Sequence, residues 1–182
     1  MYEELSNGNS PVSLSEMKSY MKITYSNDDS LISGLIDNCV RAGESYTGRD
    51  FSVKSWKLLL DEFSSRMHLS RVKVASITSV KHLVSNVLTA VSSADYYLKN
   101  NVSNSDVLLI DGASWPTNTD VREHSVEVEF TTSVSIPQDV MEAGIQKHVS
   151  FMYFNRGDFD VNESGVKSGA FNDYAFYRIP RI

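Results

Sequence analysis

The sequence predicts an α+β protein: a small helical body, made of N-terminal helices and one helix from the C-terminal half, with an inserted antiparallel β module and an extended C-terminal tail. Three observations predict it. Apolar residues recur at helical spacing over about 28–46 and again after Pro137. Between these stretches the runs are short, rich in β-branched and aromatic residues, and separated by Asn, Ser, Asp and Gly. The order is helix, strand, helix, so the two helical parts are expected to pack together around an insertion. The expected organisation is one domain over 1–182. It has N-terminal helices over 13–48, the β module over 52–132, a long helix over 137–156, and a linker with tail over 157–182.

Each element has its own signal. Residues 1–12 read as a loose polar lead-in. In "SLSEMKSYMKI", Ser13 and Glu16 fit a capping box, in which each side chain satisfies the other residue's backbone N–H. Leu14, Met17 and Met21 then share one face of a short helix. In "SNDDSLISGLIDNCVRAGESYTGR", Asn27 or Asp28 supplies a cap, and the acids suit the positive end of the helix dipole. Leu31, Ile32, Leu35, Ile36, Cys39, Val40 and Tyr46 form the apolar stripe. Gly34 and Gly43 weaken this helix but permit close packing, and Gly48 is its stop.

The strand signals are "SWKLLLDEF", "SITSVKHLV", "NVLTAVS", "DYYLK", "DVLLID" and "HSVEVEFTT". Alternation is cleanest in the last, where Val126, Val128 and Phe130 face one way. Helical spacing returns after Pro137, a good first-turn residue, with Val140, Ile145, Val149, Met152 and Tyr153 in the stripe and Met141 and His148 beside it. "DFDVNESGVKSGAFND" reads as a flexible link to the aromatic tail.

Composition narrows the function. The chain is 41% hydrophobic and 22% charged, with net charge −6 and pI near 5.2, so a basic nucleic-acid surface is not expected. The lone Cys39 excludes an intrachain disulfide and a cysteine-based zinc site, and reads as a small buried hydrophobe. No apolar run reaches membrane-spanning length. "MYEELSNGNSP" lacks the pattern of a signal peptide, so a cytosolic origin is expected.

Catalytic chemistry is not visible. His68, His82, His124 and His148 are spread along the chain with no metal-ligand spacing. His68 and His82 fall in strands, where a solvated or half-buried imidazole is expected; His148 reads as a core or interface residue. Capping explains the pair Asp28 and Asp29, and Glu127 and Glu129 read as the solvated face of a strand. There is no glycine-rich phosphate loop and no GxSxG. No catalytic, cofactor or metal residues are expected.

"YAFYRIPRI" is unusual for a terminal segment, which is ordinarily polar and frayed. Its apolar residues are expected either to cover the chain's own core or to meet a partner.

A series of landmarks occurs in order: "PVSLSEMKSYMKI", "DDSLISGLIDNCVRAGESYTGRDF", "SWKLLLDEF", "ITSVKHLV", "DYYL", "GASWP", "VEVEFTT", "IPQDVMEAGIQKHVSFMYFNRGD" and "YRIPRI". Together, over about 11–182, they resemble the head–tail connector family of tailed bacteriophages, also called head-completion or adaptor proteins and found in phage-like gene transfer agents. The chain departs from the family in its short "TTSVSIPQ", its aromatic "FMYFNRG" and the stretch from Val161 to Ser168.

The resemblance implies a non-enzymatic virion protein of the neck, with no cofactor and no membrane, assembled in the host cytoplasm. It implies a homo-oligomeric ring of about twelve copies between the portal and the next neck or tail-completion protein. DNA would pass through the ring without specific binding. By the same resemblance the tail docks on the portal through Tyr174, Phe176, Tyr177, Arg178, Ile179, Pro180, Arg181 and Ile182. Another neck protein, such as a tail terminator, is disfavoured by the helix–β–helix order. A small β-containing enzyme or ligand-binding module would be favoured by an isolated pocket with convergent polar groups.

Overall fold

In the computed structural model, which describes residues 1–6, 8–69, 73–101 and 104–179, the chain folds as two units. One comprises Met1–Gly8 with Val53–Ser133, the other Asn9–Ser52 with Val134–Ile182.

The first unit is all β. Among the described residues its strands are β1 (Tyr2–Ser6), β2 (Ser55–Leu60), β3 (Arg66–Leu69), β4 (Val74–Val84), β5 (Val87–Ala90), β6 (Tyr96–Asn100), β7 (Ser105–Leu109) and β8 (Val126–Thr132). They form two antiparallel sheets, ordered β1-β2-β8-β4-β5 and β3-β7-β6. Both sheets feed one apolar core: Leu58, Val80, Val128 and Phe130 from the larger, Met67, Leu69, Tyr96 and Val107 from the smaller.

Strand β8 shows why its sequence alternates. Val126, Val128 and Phe130 are buried, while Glu127 and Glu129 on the other face meet the lysines of both neighbouring strands. Lys57 Nζ lies 3.2 Å from Glu127, and Lys81 Nζ lies 3.2 Å from Glu129. These cross-strand pairs offset the like charges that two glutamates on one face would otherwise present.

The N-terminal strand departs from the expectation. The supposed loose lead-in is β1, paired with β2 in the register Tyr2↔Leu58. An edge strand needs little apolar content, and its charged residues are the ordinary means of discouraging further pairing. Strand β3, "RMHL", is the strand expected around His68; it is short, yet Met67 and Leu69 are fully covered.

The second unit is helical: α1 (Leu14–Met21), α2 (Asp29–Thr47), α3 (Gln138–Phe154), α4 (Val161–Lys167) and α5 (Ala170–Tyr174), then a 3₁₀ turn over Ala175–Tyr177. The capping box of α1 is formed: Ser13 N–H donates to Glu16 Oε2 at 2.8 Å, and Glu16 N–H to Ser13 Oγ at 3.3 Å. Helix α2 stops at Gly48, whose φ of 72° is cheap only for glycine.

Asp28 does not cap α2 with its side chain. Its carboxylate instead accepts from Tyr153 Oη at 2.5 Å and Arg156 Nη2 at 2.9 Å, the second an ion pair as well as a hydrogen bond. These donors hold the Asp28 carboxyl below its usual range, and the bond to Asp28 raises the Tyr153 phenol. Tyr25 Oη, 2.9 Å from Tyr153 Oη, completes the chain as a donor, because the Tyr153 proton is already committed to Asp28.

The expected flexible link is also replaced by structure. Asp160 caps α4, accepting from Asn162 N and Glu163 N at 2.8 and 2.9 Å. The stretch looks like a linker because its buried positions are small: Ser164, Gly165 and Ala170, with Phe171 and Tyr174 as the large exceptions.

Tyr174 is the largest fully buried side chain. Its ring lies against α2 at Gly43 and against α3 at Gly144, and packs edge-on to Phe51 with centroids 5.2 Å apart. A Cβ at Gly43 would come within 2.6 Å of Phe51, and one at Gly144 would collide with the Tyr174 ring. Cys39 is buried in the same core, and burial pushes its thiol up to about 12, so it stays protonated and unreactive.

Gly34 and Gly144 therefore predict opposite outcomes. Gly34 is exposed with open space around it, so Gly34→Ala should stabilise by about 0.5–1 kcal/mol through helix propensity. Gly144→Ala should destabilise by about 1–3 kcal/mol through overpacking. Urea unfolding of the two variants checks this, with equal shifts of the same sign as the contrary result.

Candidate docking surface

The segment after α5 is positioned by the C-terminal end of α2. Ile179 N–H donates to Thr47 O at 2.9 Å, and the Ile179 side chain rests on Gly48. Arg49 Nε donates to Tyr177 O at 2.6 Å, and Arg49 Nη1 to Ser135 Oγ at 3.0 Å. Arg178 lies over the Tyr46 ring at 4.9 Å, a cation–π contact, and Tyr46 stacks on Phe171 at 4.4 Å.

The residues that sequence reasoning grouped as one tail thus stand in three situations. Tyr174 belongs to the core, and burial raises its phenol so that it remains neutral. Tyr177, Arg178 and Ile179 are fastened on the surface of their own unit. Phe176 is 91% exposed, with the Tyr177 ring edge-on to it at 5.4 Å. Pro180, Arg181 and Ile182 lie outside the described residues. The spacing of Phe171, Tyr174 and Tyr177, three apart, is the helical signal that separates the covered residues from the exposed Phe176.

Three of the histidines have local side-chain partners. His68 is exposed, with Nδ1 2.9 Å from Asp106 Oδ1. His82, expected to be solvated or half-buried, is buried instead, with Nδ1 2.9 Å from Thr119 Oγ1, because residues near Phe63 and Thr119 fold over it.

His148 is fully buried, its Nε2 2.8 Å from Val161 O and 2.9 Å from Ser164 Oγ. A carbonyl only accepts, so the proton sits on Nε2; Nδ1 has no partner among the described residues. Burial lowers the imidazole below its usual range and keeps it neutral. Among the described residues no group of three or more His, Cys, Asp or Glu could hold a metal ion, and no helix is long and apolar enough to cross a membrane.

Comparison with known proteins adds three findings. A family model described as phage gp6-like head–tail connector protein matches residues 11–107, just over half of the chain. No curated protein matches the sequence. Among solved structures, the fold is similar to a chain in the neck of an empty gene transfer agent particle computed with C6 symmetry, with TM-score 0.75 and 16% identity. The alignment covers 100% of this chain and 97% of that one. A chain in the virion of a native gene transfer agent particle gives TM-score 0.74 at the same identity and coverage. One in the neck of a native particle computed with C12 symmetry gives 0.73, again at 16% identity with 100% and 97% covered.

Two predictions follow from this geometry. Truncation after Tyr174 removes the Arg49 and Thr47 contacts and should cost about 1–3 kcal/mol. Truncation before Tyr174 should cost at least about 3–5 kcal/mol more by emptying the core. Equal thermal midpoints for the two would contradict the division of the segment.

The second concerns pH. His148 is neutral when folded and its pKa lies below the unfolded value, so the unfolded chain takes up the proton first as pH falls through about 6.5. Its contribution is therefore intact at neutral pH and is lost on acidification towards the lowered folded value. His148→Gln, which keeps a donor near Val161 O, should flatten the fall in stability between about pH 7 and 5 relative to wild type; parallel curves would show that His148 is not the titrating group.

Proposed function

This chain belongs to the phage gp6-like head–tail connector family, and on that premise we propose that it is a non-enzymatic structural subunit of a virion neck ring. The observation that carries the proposal is the likeness of fold along the full chain to subunits of necks computed with C6 and C12 symmetry. In this reading about twelve copies close into a ring by a heterologous contact, in which one face of a subunit meets a different face of the next. The ring sits between the portal and the next neck or tail-completion protein, extends the DNA channel and assembles in the host cytoplasm. The net charge of −6 supports passage of DNA without specific binding, because an acidic subunit is repelled by the phosphate backbone.

The C-terminal segment is the proposed portal contact. Phe176 supports it most directly: a phenylalanine left 91% exposed on an otherwise fastened segment buries apolar area only against a partner. Arg178, with Arg181 in the same stretch, adds charges suited to portal carboxylates.

Mixing the protein with purified portal complexes tests this reading. The expected product is a ring sharing the portal's axis, seen by native mass spectrometry and electron microscopy. Phe176→Ala should weaken capture by about 1–3 kcal/mol per subunit contact, amplified by the many copies engaging together, while leaving the thermal midpoint unchanged. One bound copy per portal, or capture indifferent to Phe176, would refute it.

A further inference from the structure

A cleft of about 830 Å³ opens on the β unit, between the end of β2 with the residues after it and the connection from Trp115 to Glu123. Its floor is aromatic. Phe63 and Trp115 stack nearly parallel with centroids 4.8 Å apart, and Trp115 Nε1 donates to Ser64 O at 2.9 Å.

The wall is held in shape by its own hydrogen bonds. Asp120 N–H donates to Leu83 O at 2.9 Å, and the Asp120 carboxylate accepts from Ser85 N and Asn86 N at 3.0 and 2.8 Å. Those two residues form the β4–β5 turn, where both take the left-handed conformation with φ of 50° and 65°. Arg122 Nη1 donates to Asn86 Oδ1 at 2.9 Å, and Asp61 Oδ1 accepts from His124 N at 2.9 Å. The cleft is thus formed before anything enters it, which lowers the cost of binding.

What stays uncommitted is informative. Val121 is fully exposed at the rim. Glu62 and Glu123 are exposed and make no ion pair among the described residues. Four carboxylates line the cleft against one guanidinium, that of Arg122, which is already tied to Asn86.

We propose that this cleft is a docking groove for an extended protein segment that presents arginine or lysine beside an apolar side chain. The aliphatic stem of the basic side chain lies along the Phe63–Trp115 stack while its charged head meets Glu62 and Glu123, and the apolar side chain covers Val121. An acidic rim repels polyanions, so the occupant is a basic peptide and not nucleic acid. The groove involves neither Phe176 nor Arg178, and it stands or falls independently of portal docking.

Titration of the isotopically labelled full chain with a blocked hexapeptide, Arg-Leu-Pro-Arg-Leu-Arg, tests the proposal by amide and indole NMR shifts. Saturable shifts are expected at residues 60–64 and 115–123 and at the Trp115 indole, weakening as salt is raised. Glu62→Lys with Glu123→Lys should reduce affinity at least about tenfold. The shape-preserving Glu62→Gln with Glu123→Gln should reduce it in the same direction, and serves if the reversed pair perturbs folding. The same peptide with Glu in place of Arg should not bind. Shifts centred elsewhere, equal binding of the acidic peptide, unchanged affinity in the charge variants, or no saturation at peptide on the order of millimolar would overturn the proposal.

Discussion

The helical unit depends on one fit, the Tyr174 ring lying against glycines on two helices. Gly43 on α2 and Gly144 on α3 leave no Cβ where the rings of Phe51 and Tyr174 pass. Glycine in a helix interior is unfavourable by about 0.5–1 kcal/mol relative to alanine. An aromatic side chain buried in its place contributes more, since truncating one to alanine costs about 3–5 kcal/mol. The hydroxyl still needs a partner, and Tyr174 Oη donates to Met141 O at 3.4 Å. Once Tyr174 must reach this position, the chain after α3 has to turn back, and α4 and α5 are the two short helices that bring it there. The cap at Asp160 and the left-handed Gly169 make the two changes of direction.

The β unit is organised around β8, which pairs with β2 on one side and β4 on the other. Its inward face supplies Val126, Val128 and Phe130 to the core, and its outward glutamates bridge to lysines of both flanking strands. These half-buried pairs still face solvent on one side, and surface pairs are worth only about 0–1 kcal/mol each. Their effect is on register: slipping β8 by one residue would place both glutamates in the apolar core.

This division explains what could be read from the sequence. The α+β class, the capping box at Ser13, the α2 stripe and the alternation of β8 were legible because each repeats a physical period several times. Strand β3 was read at His68 but not bounded, because four residues hold too few repeats. Strand β1 was hidden for a different reason: it lies at a sheet edge, where charged side chains are tolerated and the apolar signal is weak. Helices α4 and α5 were masked by small buried residues, since Ser164, Gly165 and Ala170 resemble a linker in composition while lying inside the core. Asp28 looked like a cap because the sequence does not reveal that Tyr153 and Arg156, about 125 positions away, bring stronger donors to it. The aromatic cleft was invisible because Phe63 and Trp115 come from opposite sides of most of the β unit.

The C-terminal segment changes the energetics of the docking role we propose for it. If all of Tyr174–Ile182 were free, its backbone would have to be ordered on binding at about 1–2 kcal/mol per residue, enough to cancel the burial of a few apolar side chains. In the folded unit Tyr174 is already core, and Ile179 is held by the Thr47 carbonyl with Arg49 bonded to the intervening Tyr177 carbonyl. Phe176 therefore projects from backbone fixed on both sides. Its burial against a partner would incur mainly the loss of its own rotamer freedom, and the apolar gain would survive as affinity. On the proposed reading, self-packing and docking would be successive uses of one segment: the first fastens the backbone, and the second would use the side chain that fastening leaves exposed.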